Sequence, residues 1–317
     1  MKHTLLPVNF SRLSTESAAL HYRSGGLKNV RWHMIKAQKV IRSALGAGRW
    51  FPSNRTELAE SIQGYIDEAF VPEVSGPIVA AIAPHAGYLY SGQVAGYTYR
   101  AIQDNLAEHG APETVVVLGF SHKGEGQGVA LMDGTTFVTP LGESAMDTGA
   151  AILLIAADPR IRPDYRPHMG EHSLENQIPF IQSVLPAASL VMALIAARDS
   201  ATLDALAKAL HTLSGKKKIL VIASSDMLHD SSYEKVRKTD QITLRKVVAM
   251  DTTGVMHDWD YSQQVFCGIG PVITAMKYAQ LRGVVRGTTL RYRNSGDDFP
   301  ESRGQWVVGY GAVAFSV

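Results

Sequence analysis

Ile82-Ala83-Pro84-His85-Ala86-Gly87-Tyr88-Leu89-Tyr90-Ser91-Gly92 follows the apolar run Pro77-Ile78-Val79-Ala80-Ala81. The run reads as a buried strand. The stretch after it reads as a turn bearing a histidine, tyrosines, a serine and glycines, which then gives way to a helical pattern. In an open α/β sheet, ligands bind beyond the carboxyl ends of the strands. A strand ending in a histidine-bearing turn therefore marks both a fold class and a place for chemistry. The same layout recurs at Gly119-Phe120-Ser121-His122 and at Ser224-Ser225-Asp226-Met227-Leu228-His229.

Downstream of the first turn the pattern predicts a helix over 93–107, with Ala95, Tyr99 and Ile102 inward. Val115-Val116-Val117-Leu118-Gly119 is short and β-branched, hence a second buried strand. Lys123-Gly124-Glu125-Gly126-Gln127-Gly128 resembles a phosphate cradle, but its spacing matches no P-loop and no helix follows, so it reads as a mobile loop beside a site. Val129–Met132 and Thr135–Thr139 suggest a hairpin about Asp133-Gly134. A helix over 144–157 is apolar almost all round and is expected to be buried. Asp158 to Gly170 is a polar loop. Ser173 is placed to cap a helix whose Leu174, Ile178, Ile181 and Leu185 share one face. Strand 189–195, helix 200–213, strand 219–223 and helix 232–250 continue the alternation. After the polar-aromatic segment Asp258–Phe266, a helix runs from Gly268 to about Leu281 with Pro271 in its first turn. Strands near 284–293 and 305–316 close the chain.

Upstream, Asn54 can cap a helix marked by Leu58, Ile62, Tyr65, Ile66 and Ala69. Gly46-Ala47-Gly48-Arg49-Trp50-Phe51-Pro52 is a Gly-rich turn before it, and Lys36 to Leu45 suits a short helix. Residues 1–46 read as an N-terminal extension wrapping a single α/β domain over 47–317. Repeated strand–helix alternation with continuous apolar strands predicts three layers, α/β/α, around a mostly parallel mixed sheet.

The bulk numbers agree. At 317 residues, 45% hydrophobic and 19% charged, the chain can bury a sizeable core. A net charge of +2 gives no reason to expect nucleic acid or a membrane surface as partner. No basic run exceeds Lys216-Lys217-Lys218, which reads as solvated. One cysteine excludes an internal disulfide framework. No stretch is apolar for long enough to span a bilayer, and Met1–Pro7 lacks the apolar core of a signal peptide. A cytoplasmic protein is expected.

His85, His122, Asp226 and His229 all fall just past strand ends, so they can converge on one edge of the sheet. Imidazole and carboxylate are usual ligands of Fe(II), Zn and Mn. Any one of these residues alone is more readily a hydrogen-bonded turn residue; the three turns together favour a site. Cys267 is either a small buried hydrophobe or, just before a helix N-terminus, a stabilised thiolate serving as nucleophile or ligand. His172 and Glu175 are one helical turn apart, which suits an acid/base or substrate pair and equally a cap with its ion pair. Tyr88 is placed to line a pocket or to pack.

Taken together, Gly48-Arg49-Trp50-Phe51-Pro52, Ala83-Pro84-His85-Ala86-Gly87-Tyr88 with Tyr90-Ser91-Gly92, Gly119 with Ser121-His122, Glu171-His172-Ser173-Leu174-Glu175, Ser224-Ser225-Asp226 with His229, and Cys267-Gly268 with Pro271 resemble the MEMO family, whose bacterial and archaeal members are called AmmeMemoRadiSam system protein B. The match covers roughly residues 46–317. The resemblance implies a fold similar to class III extradiol dioxygenases, which use non-haem iron. It implies His85, His122 and Cys267 as metal ligands, with Asp226 and His229 lining the same pocket, and Fe(II) as the metal, with Zn or Cu as alternatives. It also implies a functional link to a radical-SAM protein. The chain departs from the family at Ala47, where a histidine is often found, and at Phe120, where proline is frequent; neither is a proposed ligand.

Three functions compete. In a non-haem iron enzyme or redox protein, two histidines and a cysteine leave positions open for O₂ and a small substrate, while Asp226, His229 and His172 supply acid/base chemistry and Tyr88 and Glu175 contact the substrate. In a metal-independent hydrolase or transferase, Cys267 is the nucleophile, His85 or His229 its base and Asp226 the orienting group. In a binding module, the same cleft holds a peptide or phosphorylated ligand without turnover.

Overall fold

The computed structural model describes residues 39–124 and 126–317. In chain order the elements are β1 (Ile41–Ser43), α1 (Arg55–Asp67), β2 (Ile78–Ala83), α2 (Tyr88–His109), β3 (Thr114–Gly119), β4 (Val129–Leu131), β5 (Thr136–Thr139), β6 (Gly142–Ala145), α3 (Thr148–Ala157), β7 (Ile161–Pro163), α4 (Ile178–Val184), β8 (Ser189–Ile195), α5 (Ser200–Ser214), β9 (Ile219–Ser224), β10 (His229–Asp230), α6 (Tyr233–Val248), α7 (Thr252–Asp258), α8 (Ile269–Leu281), β11 (Gly287–Asn294), α9 (Ser295–Asp298) and β12 (Val307–Ser316).

The main sheet runs β10-β12-β2-β9-β3-β8-β4-β7, with β11 also on β12. Its centre, β2-β9-β3-β8, is parallel, and β12 and β4 flank it antiparallel. This is the expected mixed sheet. Parallel strands buried on both faces need unbroken apolar runs, as Ile78–Ala83, Thr114–Gly119, Ser189–Ile195 and Ile219–Ser224 provide. Alternate residues face opposite layers. Ala80, Ile82, Val116 and Leu118 pack with α3, α5, α7 and α8; Ala81, Ala83, Val115 and Val117 pack with α1, α2 and α4. Each fully buried Val, Leu or Ile contributes roughly 1.5–3 kcal/mol of transfer free energy. The result is three layers, α/β/α. Register brings the carboxyl ends level: Ala83 lies opposite Ser224, and Leu118 opposite Ala223. The three turns that follow β2, β9 and β3 therefore meet at one edge.

Several local expectations change. Lys36–Leu45 is not a helix where it is described: Ile41–Ser43 form a strand parallel to β5, and residues 36–38 lie outside the described residues. The hairpin about Asp133-Gly134 does not form. β4 belongs to the main sheet, β5 to a small β1-β5-β6 sheet, and β5 turns back on β6. The residues between β4 and β5 carry the chain from one sheet to the other, with Arg42 Nη2 on Asp133 Oδ1 at 2.5 Å. The helix expected over 144–157 starts at Thr148, capped by Asp147, because Ser144 and Ala145 are in β6. It buries only Ala150 and Leu154 and leaves Ile152 and Leu153 exposed, since it covers the edge of the sheet rather than its centre. The 158–170 loop contains β7, and the stretch after β10 and α6 contains α7. Asn54 does cap α1, accepting from the Thr56 and Glu57 N–H groups. Among the described residues no helix is long and apolar enough to cross a membrane.

Candidate metal centre

His85 leaves the end of β2 inside a dense polar cradle. A short 3₁₀ turn, Glu175–Gln177, lies against it. Asn176 Nδ2 donates to the His85 carbonyl at 2.6 Å, and Gln177 Nε2 donates to the Pro84 carbonyl at 2.8 Å. The His85 and Ala86 N–H groups donate to Asp226 Oδ1 at 2.7 and 3.2 Å. On the ring, Nδ1 is 3.1 Å from Ser224 Oγ. Ser224 gives its own proton to the Ser173 carbonyl and accepts from Gln177 Nε2, so its remaining contact is with an Nδ1–H. The Nε2 lone pair is left facing Cys267 Sγ at 3.4 Å.

His122 follows β3 and is oriented by Glu171. Its Nδ1 meets Glu171 Oε1 at 2.9 Å, and its backbone N–H donates to Oε2 at 2.7 Å. The Ser173 N–H donates to Oε1 at 2.8 Å. This carboxylate–imidazole pairing leaves His122 Nε2 free. Cys267 sits in the turn before α8, its N–H on the Asp226 carbonyl at 3.2 Å and its sulfur 3.6 Å from Ser225 Oγ. Gly268 beside it is required by packing: a Cβ there would lie 2.9 Å from the Ser224 carbonyl oxygen.

One ligand atom from each of His85, His122 and Cys267 lies within 4.8 Å of the others. The same holds for Asp226, His229 and Cys267, and for His122, Glu171 and His172. Two imidazoles with Nε2 available and a soft sulfur suit a first-row transition ion. His229 Nε2 is buried with no hydrogen-bond partner among the described residues.

Burial dominates the electrostatics. Desolvation, reinforced by neighbouring His122, drives His85 down to about 3, so the ring is neutral and able to ligate. His172 falls to about 3 for the same reason, with His85 and His122 adding to it. Burial would raise Glu171, but its bonds from His122 outweigh that and hold it at about 2, a permanent anion. Asp226 is raised by burial against the pull of His229, and His229 is lowered by burial against the pull of Asp226. Burial, then the Asp226 carboxylate, push the Cys267 thiol far up. A thiolate stabilised by the helix terminus alone is thus not what the structure supports; the sulfur keeps its proton unless a cation lies beside it.

Of the remaining expected residues, His172 joins the cluster from a loop, not from a helix. Its ring stacks on His122 at 4.5 Å between centroids and on Trp50 at 3.8 Å. Ser173 is no helix cap; its Oγ donates to the Phe120 carbonyl. Glu175 is buried and turned away, accepting the Leu45 and Gly46 N–H groups, both at 2.8 Å, and so pins the turn that carries Trp50. Tyr88 packs on Phe51 and Phe180 and donates its hydroxyl to the Asn176 carbonyl. With Arg49, Trp50 and Tyr65 it lines a groove of about 490 Å³ beyond the Trp50–His172 stack. Glu171, Ser224, Asn176, Gln177 and Trp50 were not singled out by chemistry in the sequence. The available signal was the polar run Glu171–Gln177; that it is buried almost throughout is visible only in the fold.

Residues 42–314 match the family described as Memo-like protein. A MEMO1 family protein of Methanopyrus kandleri is 32% identical over 287 residues, covering 86% of this chain and 98% of the relative. One from Archaeoglobus fulgidus is 34% identical over 275 residues, covering 86% and 98%. One from Ignicoccus hospitalis is 33% identical over 293 residues, covering 87% and 99%.

Proposed function

The chain belongs to the Memo-like protein family, and on that premise we propose that it is a non-haem iron protein, an oxygen-dependent or redox enzyme acting on a small substrate. His85, His122 and Cys267 would hold Fe(II). The observation that carries this is the convergence of their ligand atoms within 4.8 Å while both Nδ1 atoms are committed elsewhere. When bound there, iron would supply a Lewis acid and a one-electron donor. The chain's own groups do the rest. Ser224 and Glu171 fix the two tautomers. Asp226 and His229 face the third ligand, where a neutral imidazole can accept a substrate proton and a buried carboxyl can orient a hydroxyl. The ring stack of Trp50, His172 and His122 walls the other side.

The Cys–His hydrolase reading is disfavoured by the raised thiol, because the nucleophile it needs is the thiolate. The groove beside Trp50 favours a second reading, a peptide or phosphorylated ligand bound outside the metal cleft; binding that survives loss of His85 and Cys267 would support it.

Metal analysis of protein purified without air or added metal tests the first reading. Stoichiometric iron is expected, with Zn and Cu as the measured competitors, and it should vanish in H85A, H122A and C267S. Full iron retention in H85A and C267S overturns the assignment. Oxygen uptake on the iron-loaded protein then tests the oxidative chemistry.

A further inference from the structure

Helix α6 buries Val236, Asp240, Thr243, Leu244 and Val247. Asp240 is the charged member of that stripe and is fully buried. Its Oδ1 accepts the Leu228 N–H at 3.1 Å, and its Oδ2 accepts the Tyr292 hydroxyl at 2.9 Å. Among the described residues, no lysine, arginine or histidine nitrogen is ion-paired with it. Burial accordingly pushes the carboxyl up to about 8. An unpaired buried carboxyl destabilises a core relative to an apolar side chain of similar shape. What it adds here is a directional acceptor, and the neighbouring backbone is shaped to admit it. A Cβ on Gly309 of β12 would fall 1.8 Å from Asp240 Oδ2.

Leu228 lies between Asp226 and His229. The turn is held from one side by β12, where the Met227 N–H donates to the Gly309 carbonyl at 2.8 Å and the Gly309 N–H donates to the Leu228 carbonyl at 3.0 Å. From the other side it is held by the single bond from Leu228 to Asp240. His229 then enters the ladder opposite Val308. We propose that Asp240 is a positioning residue, which through Leu228 sets where the turn presents Asp226 and His229 to the cleft. The inference rests on the role given above to those two side chains. It concerns a group on a different element from every proposed ligand.

The test compares D240N with D240V and D240A in the full chain, one apolar variant filling the space and the other emptying it. Two local readings are taken: amide hydrogen exchange at Leu228, and carbethoxylation of His229 by diethyl pyrocarbonate, mapped by peptide mass spectrometry. In D240V and D240A both should rise by roughly tenfold, the size expected when one buried hydrogen bond is lost. The melting temperature should hold or increase in D240V and fall in D240A, which leaves a cavity. In D240N, whose amide oxygen still accepts from Leu228, both should stay at the wild-type level. Wild-type reactivity of His229 in either apolar variant overturns the proposal. So does a D240N protein that behaves like D240V, or an acceleration spread evenly over β9 and α6, which would mark general loosening. Fe(II) uptake by the same preparations is read separately and should be unchanged across them. A wild-type chain that takes up no Fe(II) would sink the iron reading while leaving the Leu228 and His229 readings to decide the role of Asp240.

Discussion

At Glu171, two backbone N–H groups and an imidazole N–H converge on one carboxylate. Replacing it by glutamine turns one of the two oxygens into a donor that faces a donor. The ring of His122 then loses its orientation and the charge that makes its Nε2 basic. E171Q should bind Zn(II) or Fe(II) some 10–100-fold more weakly in chelator competition, the usual cost of losing a ligand's outer partner. Unchanged affinity would show that His122 needs no such support. This residue could not be picked out of the sequence, because an acidic residue beside His172 reads as a solvated neighbour. Only the fold shows that the run around it is inside. His85, His122, Asp226, His229 and Cys267 were legible for the opposite reason. Each sits at a chain position, the end of an apolar strand or the start of a helix, whose place in space follows from the fold class.

Helices α1 and α2 cross where Gly92 and Gly96 stand one turn apart. A Cβ on Gly92 would lie 2.5 Å from the Tyr65 ring, and one on Gly96 would lie 2.3 Å from the Tyr65 carbonyl oxygen. The second clash is with backbone, which cannot rotate away. G96A should therefore destabilise by about 1–3 kcal/mol, despite alanine's better helix propensity, as read by the denaturant midpoint. A stabilised G96A would mean the two helices can part at little cost. Other elements divide in the same physical way. The central strands were readable because burial on both faces leaves a continuous apolar run. α3 was misread because its apolar surface implies burial only if something covers it, and at the sheet edge much of it is exposed. The turn at Asp133-Gly134 has the composition of a hairpin, but the two strands find other partners: β8 for β4, and for β5 the distant β1 and, across its own next turn, β6.

Across the whole molecule, buried titrating groups pull stability in two directions. Burial drives His85 and His172 down to about 3 and His168 to about 4, and lowers His229. Their folded values lie below the ordinary one. The unfolded chain therefore binds the extra protons, and stability is lost as pH falls from about 6.5 through 4 to 3. Burial raises Glu175 to about 7 and Asp240 to about 8, and raises Asp226 as well. Here the folded chain holds the extra protons, and stability is lost as pH rises from about 4 through 7 to 8. Between these limits the four imidazoles outweigh the three carboxyls; above 6.5 only the carboxyls still act. The metal-free protein should be most stable near pH 6.5, each group contributing at most about 1.4 kcal/mol per pH unit. Denaturant midpoints from pH 5 to 9 check this, and E175Q with D240N should flatten the alkaline side and steepen the rise between pH 5 and 6.5. A wild-type maximum above pH 8 would contradict it. One consequence of the strand order concerns biosynthesis. β2 and β3 leave the ribosome early, but β9, which lies between them, follows much later, and Cys267 comes 182 residues after His85. A nascent chain can present its two imidazoles long before it owns the sulfur. A chain stalled before α8 would therefore lack the sulfur and could not offer the three proposed ligands together.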